Sequence, residues 1–250
     1  MRAGVISAPA RFLFAAARAA GETALELLYP PLCMSCGKRR AEGFCDACVM
    51  EIFATPAPTC ADCGRLLRSP GIPCKDCRQT KFAFDKARGA ARYAGLLRAL
   101  LRRFKLGGEI HLARPLGALA ADLAERECPR PDAVVPVPIS RRKLLTRGFN
   151  QAELLAESVA ARLGRPLFPK ALVRLRKAGK QAFLTRAGRI ANAAGLFAPR
   201  QPMFGSVPDF AGKRVLLVDD VVTTGATASA CAAALRIMGA SEVVAISVGR

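Results

Sequence analysis

The stretch Val215-Leu216-Leu217-Val218-Asp219-Asp220-Val221-Val222-Thr223-Thr224-Gly225-Ala226-Thr227 decides the fold. Four consecutive apolar residues bring a buried strand to its carboxyl end, where open α/β sheets bind their ligands. Two adjacent carboxylates emerge there. The loop that follows offers hydroxyls at Thr223, Thr224 and Thr227, a permissive glycine at Gly225 and the start of a helix. Helix-start amides, hydroxyls and the positive end of the helix dipole together make a phosphate cradle. Carboxylates at its rim would repel phosphate, so they need another partner, and vicinal ribose hydroxyls suit them. A ligand with a phosphate at one end of a ribose and hydroxyls in its middle satisfies both.

Two other motifs share part of this pattern. A Walker B strand also ends in two acids, but the chain has no G-x-x-x-x-G-K-[ST] to bind a triphosphate. A receiver domain opens on a similar strand, whereas here only about thirty residues follow, too few for the rest of that fold. A purely structural strand-turn-helix is the plain alternative, although paired acids at a strand end have little packing purpose.

Working outward, Val243–Val248 reads as a further strand beyond a helix from about Ala226 to Met238. Strand, helix and strand with short connections imply parallel pairing, hence an α/β sheet flanked by helices. Upstream, Ala133–Pro138 suits a buried strand giving way to a loop, and Arg88–Tyr93 a strand or its entry. Leu96, Leu97, Leu100, Leu101 and Phe104 recur at helical spacing up to Gly107-Gly108, and Leu116–Glu127 and Gln151–Leu163 are further amphipathic helices. The single histidine, His111, supports no Ser-His or Cys-His set and is expected on the surface or in loop packing.

Ten cysteines would point to disulfides in a secreted chain, but eight fall in four C-x-x-C pairs: Cys33/Cys36, Cys45/Cys48, Cys60/Cys63 and Cys74/Cys77. Two such turns close a tetrahedron around Zn²⁺. Glycine follows the second cysteine at Gly37 and Gly64, where a left-handed residue lets amides face the sulfurs. Pairing as 33/36/45/48 and 60/63/74/77 is the simplest arrangement, and interleaved pairing stays open on spacing alone. With all four positions filled the metals are structural; thioredoxin-like redox chemistry and iron–sulfur binding are the competing uses of such pairs. Cys128 and Cys231 are expected to be small buried apolar residues.

The chain has 250 residues, 39 basic and 19 acidic, for a net charge of +20. A hydrophobic share of 52% excludes a largely disordered chain, and no apolar run approaches the ~20 residues of a spanning helix. Residues 1–80 carry 10 basic and 7 acidic side chains; residues 81–250 carry 29 and 12. Two tetrathiolate zinc sites would take the first segment to about −1, so a nearly neutral cysteine-rich module precedes a strongly basic body. The expected domains are an N-terminal amphipathic helix over 1–29, a cysteine module over 30–80 and the basic body over 81–250. The first helix is read as packed on the body, with weak contact to an anionic membrane surface as its alternative. Residues 138–190 hold 13 basic and 2 acidic side chains, a density that favours an anion-binding groove over a merely solvated face. The whole reads as an intracellular, cytoplasmic protein with an anionic partner.

The 215–227 stretch resembles the 5-phosphoribosyl-1-pyrophosphate (PRPP) loop of type I phosphoribosyltransferases. The resemblance implies that Asp219 and Asp220 contact the ribose hydroxyls. It implies equally that Thr223, Thr224, Gly225, Ala226 and Thr227 hold the 5′-phosphate, with Val221 also among the PRPP-binding residues and Mg²⁺ accompanying PRPP. The wider order of four C-x-x-C pairs, Phe84-Asp85, Tyr93, Phe104-Lys105, Val135-Pro136-Val137-Pro138, Arg147-Gly148-Phe149-Asn150-Gln151 and the PRPP motif is similar to the ComF family of competence-associated proteins. That resemblance covers about Tyr29 to Arg250 and implies a double zinc ribbon before a type I phosphoribosyltransferase-like domain. A later family segment corresponds to Gln181, Leu184, Arg189 and Asn192. The family often has Thr where this chain has Ala178, and His where it has Ser140, both expected on loops around the pyrophosphate or second substrate. The candidates for pyrophosphate contact or for a mobile lid are Pro138, Arg141, Arg142, Arg147, Lys180 and Gln181.

Two functions follow. One is phosphoribosyl transfer, in which an incoming nucleophile displaces pyrophosphate at the anomeric carbon and catalysis is mainly electrostatic, with Asp219 and Asp220 as the substrate-contacting acids. The other is binding of single-stranded DNA on the same scaffold, with DNA uptake and competence-machinery proteins as the context that the resemblance implies. Without Trp and with two Tyr, such binding would be ionic rather than stacked.

Overall fold

In the computed structural model the apolar runs become the strands of one parallel sheet. The structure describes residues 30–39, 43–54, 58–67, 74–175, 195–201 and 207–250. The expected first helix, and the positions from Ala178 to Asn192, lie outside them. The chain divides into two units, Met1–Val49 and Met50–Arg250.

In the first unit a turn carries Cys33 and Cys36. Cys33 N–H donates to Lys38 O (2.7 Å) and Gly37 N–H to Cys33 O (2.9 Å), with Gly37 at φ 74°. Leu32 and Arg39 pair across the turn. Cys45 precedes helix α1 (Asp46–Phe53), and Cys48 sits in its first turn.

The second unit opens on the same turn, with Cys60 N–H to Arg65 O (2.8 Å), Gly64 N–H to Cys60 O (2.9 Å) and Gly64 at φ 66°. Cys74 and Cys77 flank the start of the short helix α2 (Lys75–Gln79). Then come β1 (Lys86–Ala91), α3 (Gly95–Leu106), α4 (Ala113–Glu127), β2 (Ala133–Pro136), α5 (Arg141–Arg147), α6 (Gln151–Leu163), β3 (Leu172–Arg174), β4 (Phe197–Pro199), β5 (Arg214–Val221), α7 (Ala226–Ile237) and β6 (Glu242–Gly249). The order is β1-β6-β5-β2, all parallel, and β3 and β4 form a separate antiparallel pair. The short connection through α7 places β5 and β6 side by side, as sequential strands usually lie.

Side chains alternate across each strand. Val215 and Leu217 share one core cluster with Ala228, Cys231 and Leu235 of α7. Leu216 and Val218, of the opposite parity, are equally buried, and α6 packs along β5 with α4 beside it. Cys128 and Cys231 are buried; burial pushes the Cys128 thiol up to about 11. Burial and then the field of Asp219 raise that of Cys231.

The second cysteine turn is part of the sheet's own body. Cys60, Cys63 and Cys74 belong to the same core cluster as Ala87, Val215 and Ala245. Ala87 N–H donates to Asp62 O (2.8 Å), and Arg88 reaches the carbonyls of Cys60, Ala61 and Asp62. The turn thereby covers β1, the strand that would otherwise expose an unpaired edge.

One expectation is corrected. Ser140, placed on a loop, is the N-cap of α5: its hydroxyl accepts from Lys143 N–H at 3.3 Å, and Gly148 ends the helix at φ 79°. None of the α5 residues is buried, so the segment carries no apolar periodicity and only its caps announce it.

Candidate functional site

Asp219 and Asp220 end β5, and strand alternation sends them to opposite faces. Half-buried Asp219 turns to the α7 side, where it and residues 221–228 line a recess open to solvent, about 210 Å³ in extent. Gly225 makes the turn at φ 81° and is the N-cap of α7, a conformation that disfavours any side chain. Thr224 Oγ1 accepts from Ala226 N–H (3.3 Å). Thr223 and Thr227 are exposed at the rim. Asp220 is buried on the other side, and its Oδ2 pairs with Lys105 Nζ at 2.5 Å. Burial, then the charge of Asp220, raise the Asp219 carboxyl well above its ordinary value. The recess therefore combines a turn bearing amides and hydroxyls with one acid short of positive charge.

Lys105 comes from the last turn of α3, whose Leu97, Leu100, Leu101 and Phe104 are buried. Sequence reasoning missed it as a site residue, since nothing local ties it to Asp220. Lys143 stands beside Arg141 and Arg142 in the basic run after β2. Its amine is lowered by partial burial and by the fields of Arg147, Arg174 and Lys105, while Asp220 acts the other way. Lys105 of α3 and Lys143 of α5 thus both act near Asp220 toward the end of β5, and Arg174 of β3 lies close enough to Lys143 to lower it. Of the proposed pyrophosphate contacts, Arg141 and Arg142 are exposed on the first turn of α5. Arg147 is held by Gln151, with Nη1 to Oε1 at 3.0 Å. Pro138 follows β2 and is half-buried; Lys180 and Gln181 lie outside the described residues. Asn150 joins these parts. It caps α6 by accepting from Ala152 N–H and donates to Val137 O, each at 3.2 Å, so the loop after β2 is tied to the helix that supports it.

The eight paired cysteines form two quartets, 33/36/45/48 and 60/63/74/77, with all sulfurs of each within 4.8 Å of one another. The interleaved pairing is thereby excluded. A tetrahedron with Zn–S near 2.3 Å has edges of about 3.8 Å. Cys36–Cys45, Cys60–Cys77 and Cys63–Cys74 lie at 3.6, 3.8 and 3.8 Å, so the donor set fits structural zinc. Against the cost of burial, backbone hydrogen bonds at Cys33 hold its thiol down to about 6, among them Cys45 N–H to Cys33 Sγ at 3.2 Å. The Cys60 thiol likewise lies at about 7 despite burial, lowered by the amides of Cys63 and Asp62. Burial pushes Cys48 up to about 12 and raises Cys77 further. A metal binds the thiolate form, so each quartet releases protons as it takes up its ion.

Residues 24–78 match the double zinc ribbon domain family and residues 150–248 the phosphoribosyl transferase domain family. Competence protein F of Haemophilus influenzae is 30% identical over 207 residues, covering 80% of this chain and 87% of that protein. The chain belongs to the ComF family. Other ComF relatives are the DNA utilization protein YhgH of Escherichia coli K12, 30% identical over 87% of this chain and 96% of that one, and competence protein ComFC of Bacillus subtilis, 27% identical over 74% and 75%. Among solved structures, the allosteric regulatory enzyme of purine biosynthesis matches 54% of this chain and 26% of its own at 25% identity, with a TM-score of 0.36. Among the described residues, no helix is long and apolar enough to cross a membrane.

Proposed function

We propose that this ComF-family protein binds PRPP or a related ribose 5-phosphate ester together with Mg²⁺ at the end of β5, and that it serves DNA uptake. The recess carries the first half of this conclusion. Its Thr223–Thr227 turn and the start of α7 supply hydroxyls and amides for a 5′-phosphate, and Asp219 on its wall supplies an acceptor for ribose hydroxyls. The acid pair is short of compensating charge, which suits a divalent cation arriving with the ligand's diphosphate. Lys105, Lys143 and Arg174 then face that diphosphate, with Arg141, Arg142 and Arg147 behind them. If turnover occurs, an incoming nucleophile displaces pyrophosphate at the anomeric carbon, and the cations stabilise the leaving group.

The second half rests on the relatives, named for competence and DNA utilization, and on the basic body. A cytoplasmic protein handling the incoming single strand, in company with other competence proteins, accounts for both. Titration of zinc-replete protein with PRPP and Mg²⁺ in a calorimeter, beside an Asp219→Ala/Asp220→Ala variant, is the test. Saturable binding that the variant loses supports the ribose-phosphate site. No binding by folded wild-type protein removes it and leaves the basic surface as the functional feature.

A further inference from the structure

The Thr223–Gly225 turn does not stand on its own helix alone. A Cβ on Gly225 would lie 3.2 Å from Phe82 Cε1 and 3.5 Å from Phe84, so these two rings are the floor beneath the turn. They stack on each other with centroids 4.7 Å apart and planes 13° from parallel. The segment that carries them is fastened to α7 and β6. Ala83 N–H donates to Ser229 Oγ (3.0 Å), Asp85 Oδ2 pairs with Arg236 Nη2 (2.5 Å) and the same oxygen accepts from Val243 N–H (2.7 Å).

Phe82–Asp85 is also the chain's path out of the second cysteine quartet, whose last ligand is Cys77. Phe84 shares a core cluster with Cys60, Cys63, Cys74 and Ala226, and Cys77 and Phe82 pack against it. Arg250 Nη1 donates to Val222 O (3.2 Å), directly before the turn.

We infer that Phe82 and Phe84 are positioning residues for the phosphate turn, and that zinc in the Cys60/Cys63/Cys74/Cys77 quartet sets how well that turn is ordered for its ligand. The second ribbon is then a working support of the recess as well as a cover for β1. What the turn holds rests on the function proposed above; the mechanical coupling does not.

The experiment compares wild-type protein, a Cys74→Ser/Cys77→Ser variant, Phe82→Ala and Phe82→Leu. It reads zinc content, amide hydrogen exchange of residues 222–228 and calorimetric titration with PRPP and Mg²⁺. Cys33→Ser/Cys36→Ser, in the other unit, controls for general zinc loss. In the second-quartet variant, exchange in the turn should rise about tenfold and PRPP affinity fall about tenfold, while exchange in β5 and β6 is unchanged. Phe82→Ala should do the same with both zinc ions retained, and Phe82→Leu should keep most of the wild-type protection and affinity. If the cysteine variant does not fold, the Phe82 pair decides the positioning role and chelator-treated wild-type protein decides the role of zinc. Wild-type exchange rates in the turn of Phe82→Ala, or of a folded variant lacking the second zinc, overturn the coupling. If the coupling appears while wild-type protein binds no PRPP, the positioning role stands and the ribose-phosphate assignment fails.

Discussion

Burial and the neighbouring Asp220 both push the Asp219 carboxyl upward, so ionising it costs the folded chain free energy that the unfolded chain does not lose. The native state therefore holds a proton that the unfolded state releases above about pH 4. Stability falls as pH rises from there through the folded-state value and is flat above it. Asp219→Asn should then raise the melting temperature at pH 7.5 relative to wild type and leave it nearly unchanged at pH 4, while PRPP affinity drops at least tenfold. Thermal melts at the two pH values with parallel titrations check this, and an equal shift at both would contradict the sign. Asp220 is instead joined to Lys105 in an ion pair. Removing one partner of a largely buried pair strands a charge, so Lys105→Met should cost about 2 kcal/mol in urea unfolding. Adding Asp220→Asn should recover most of that loss, giving a coupling that a double-mutant cycle resolves.

At the scale of elements, the two cysteine turns are near copies with different surroundings. A Cβ on Gly37 would meet no atom within 4 Å, whereas one on Gly64 would overlap the Ala87 carbonyl. Both residues have positive φ, so Gly37→Ala should cost about 1 kcal/mol of backbone strain. Gly64→Ala should cost more, about 3 kcal/mol, because the turn must also lift from β1. Urea unfolding with zinc content monitored separates the two. Sequence periodicity located most of the body: helix spacing gave α6 its limits at Gln151 and Leu163, and the apolar run before Asp219 gave β5. The cysteine spacing favoured the two quartets that the sulfurs form. The pair β3–β4 escaped notice because each strand has three residues, too few for a period. Helix α5 escaped because no residue of it is buried. The ion pair of Lys105 with Asp220 was illegible for another reason: tertiary packing alone joins the end of α3 to the end of β5. The docking of the second ribbon on β1 and the floor under Gly225 are contacts of the same kind.

For the whole molecule the open question is whether a +20 chain uses one cationic surface or two. Lys105 pairs with Asp220 at the end of β5 and Lys143 lies in the field of the same acid, while Arg141 and Arg142 stand exposed on the same short helix as Lys143. A single DNA strand lying across α5 would engage the exposed arginines and borrow Lys143, so a diphosphate at the recess should compete with it only in part. Each cation placed on a strand phosphate contributes about −0.7 to the slope of log K against log salt. Fluorescence anisotropy with labelled oligo-dT should therefore give a slope shallower by about 2 in an Arg141→Ala/Arg142→Ala/Lys143→Ala variant. Asp219→Asn should leave both slope and affinity unchanged, because the acid lines the recess and not the helix. Saturating PRPP with Mg²⁺ should weaken DNA binding by wild-type protein several-fold without abolishing it. Full displacement would mean that strand and nucleotide precursor occupy one groove. No effect would mean that the recess answers to a ligand the DNA surface never senses.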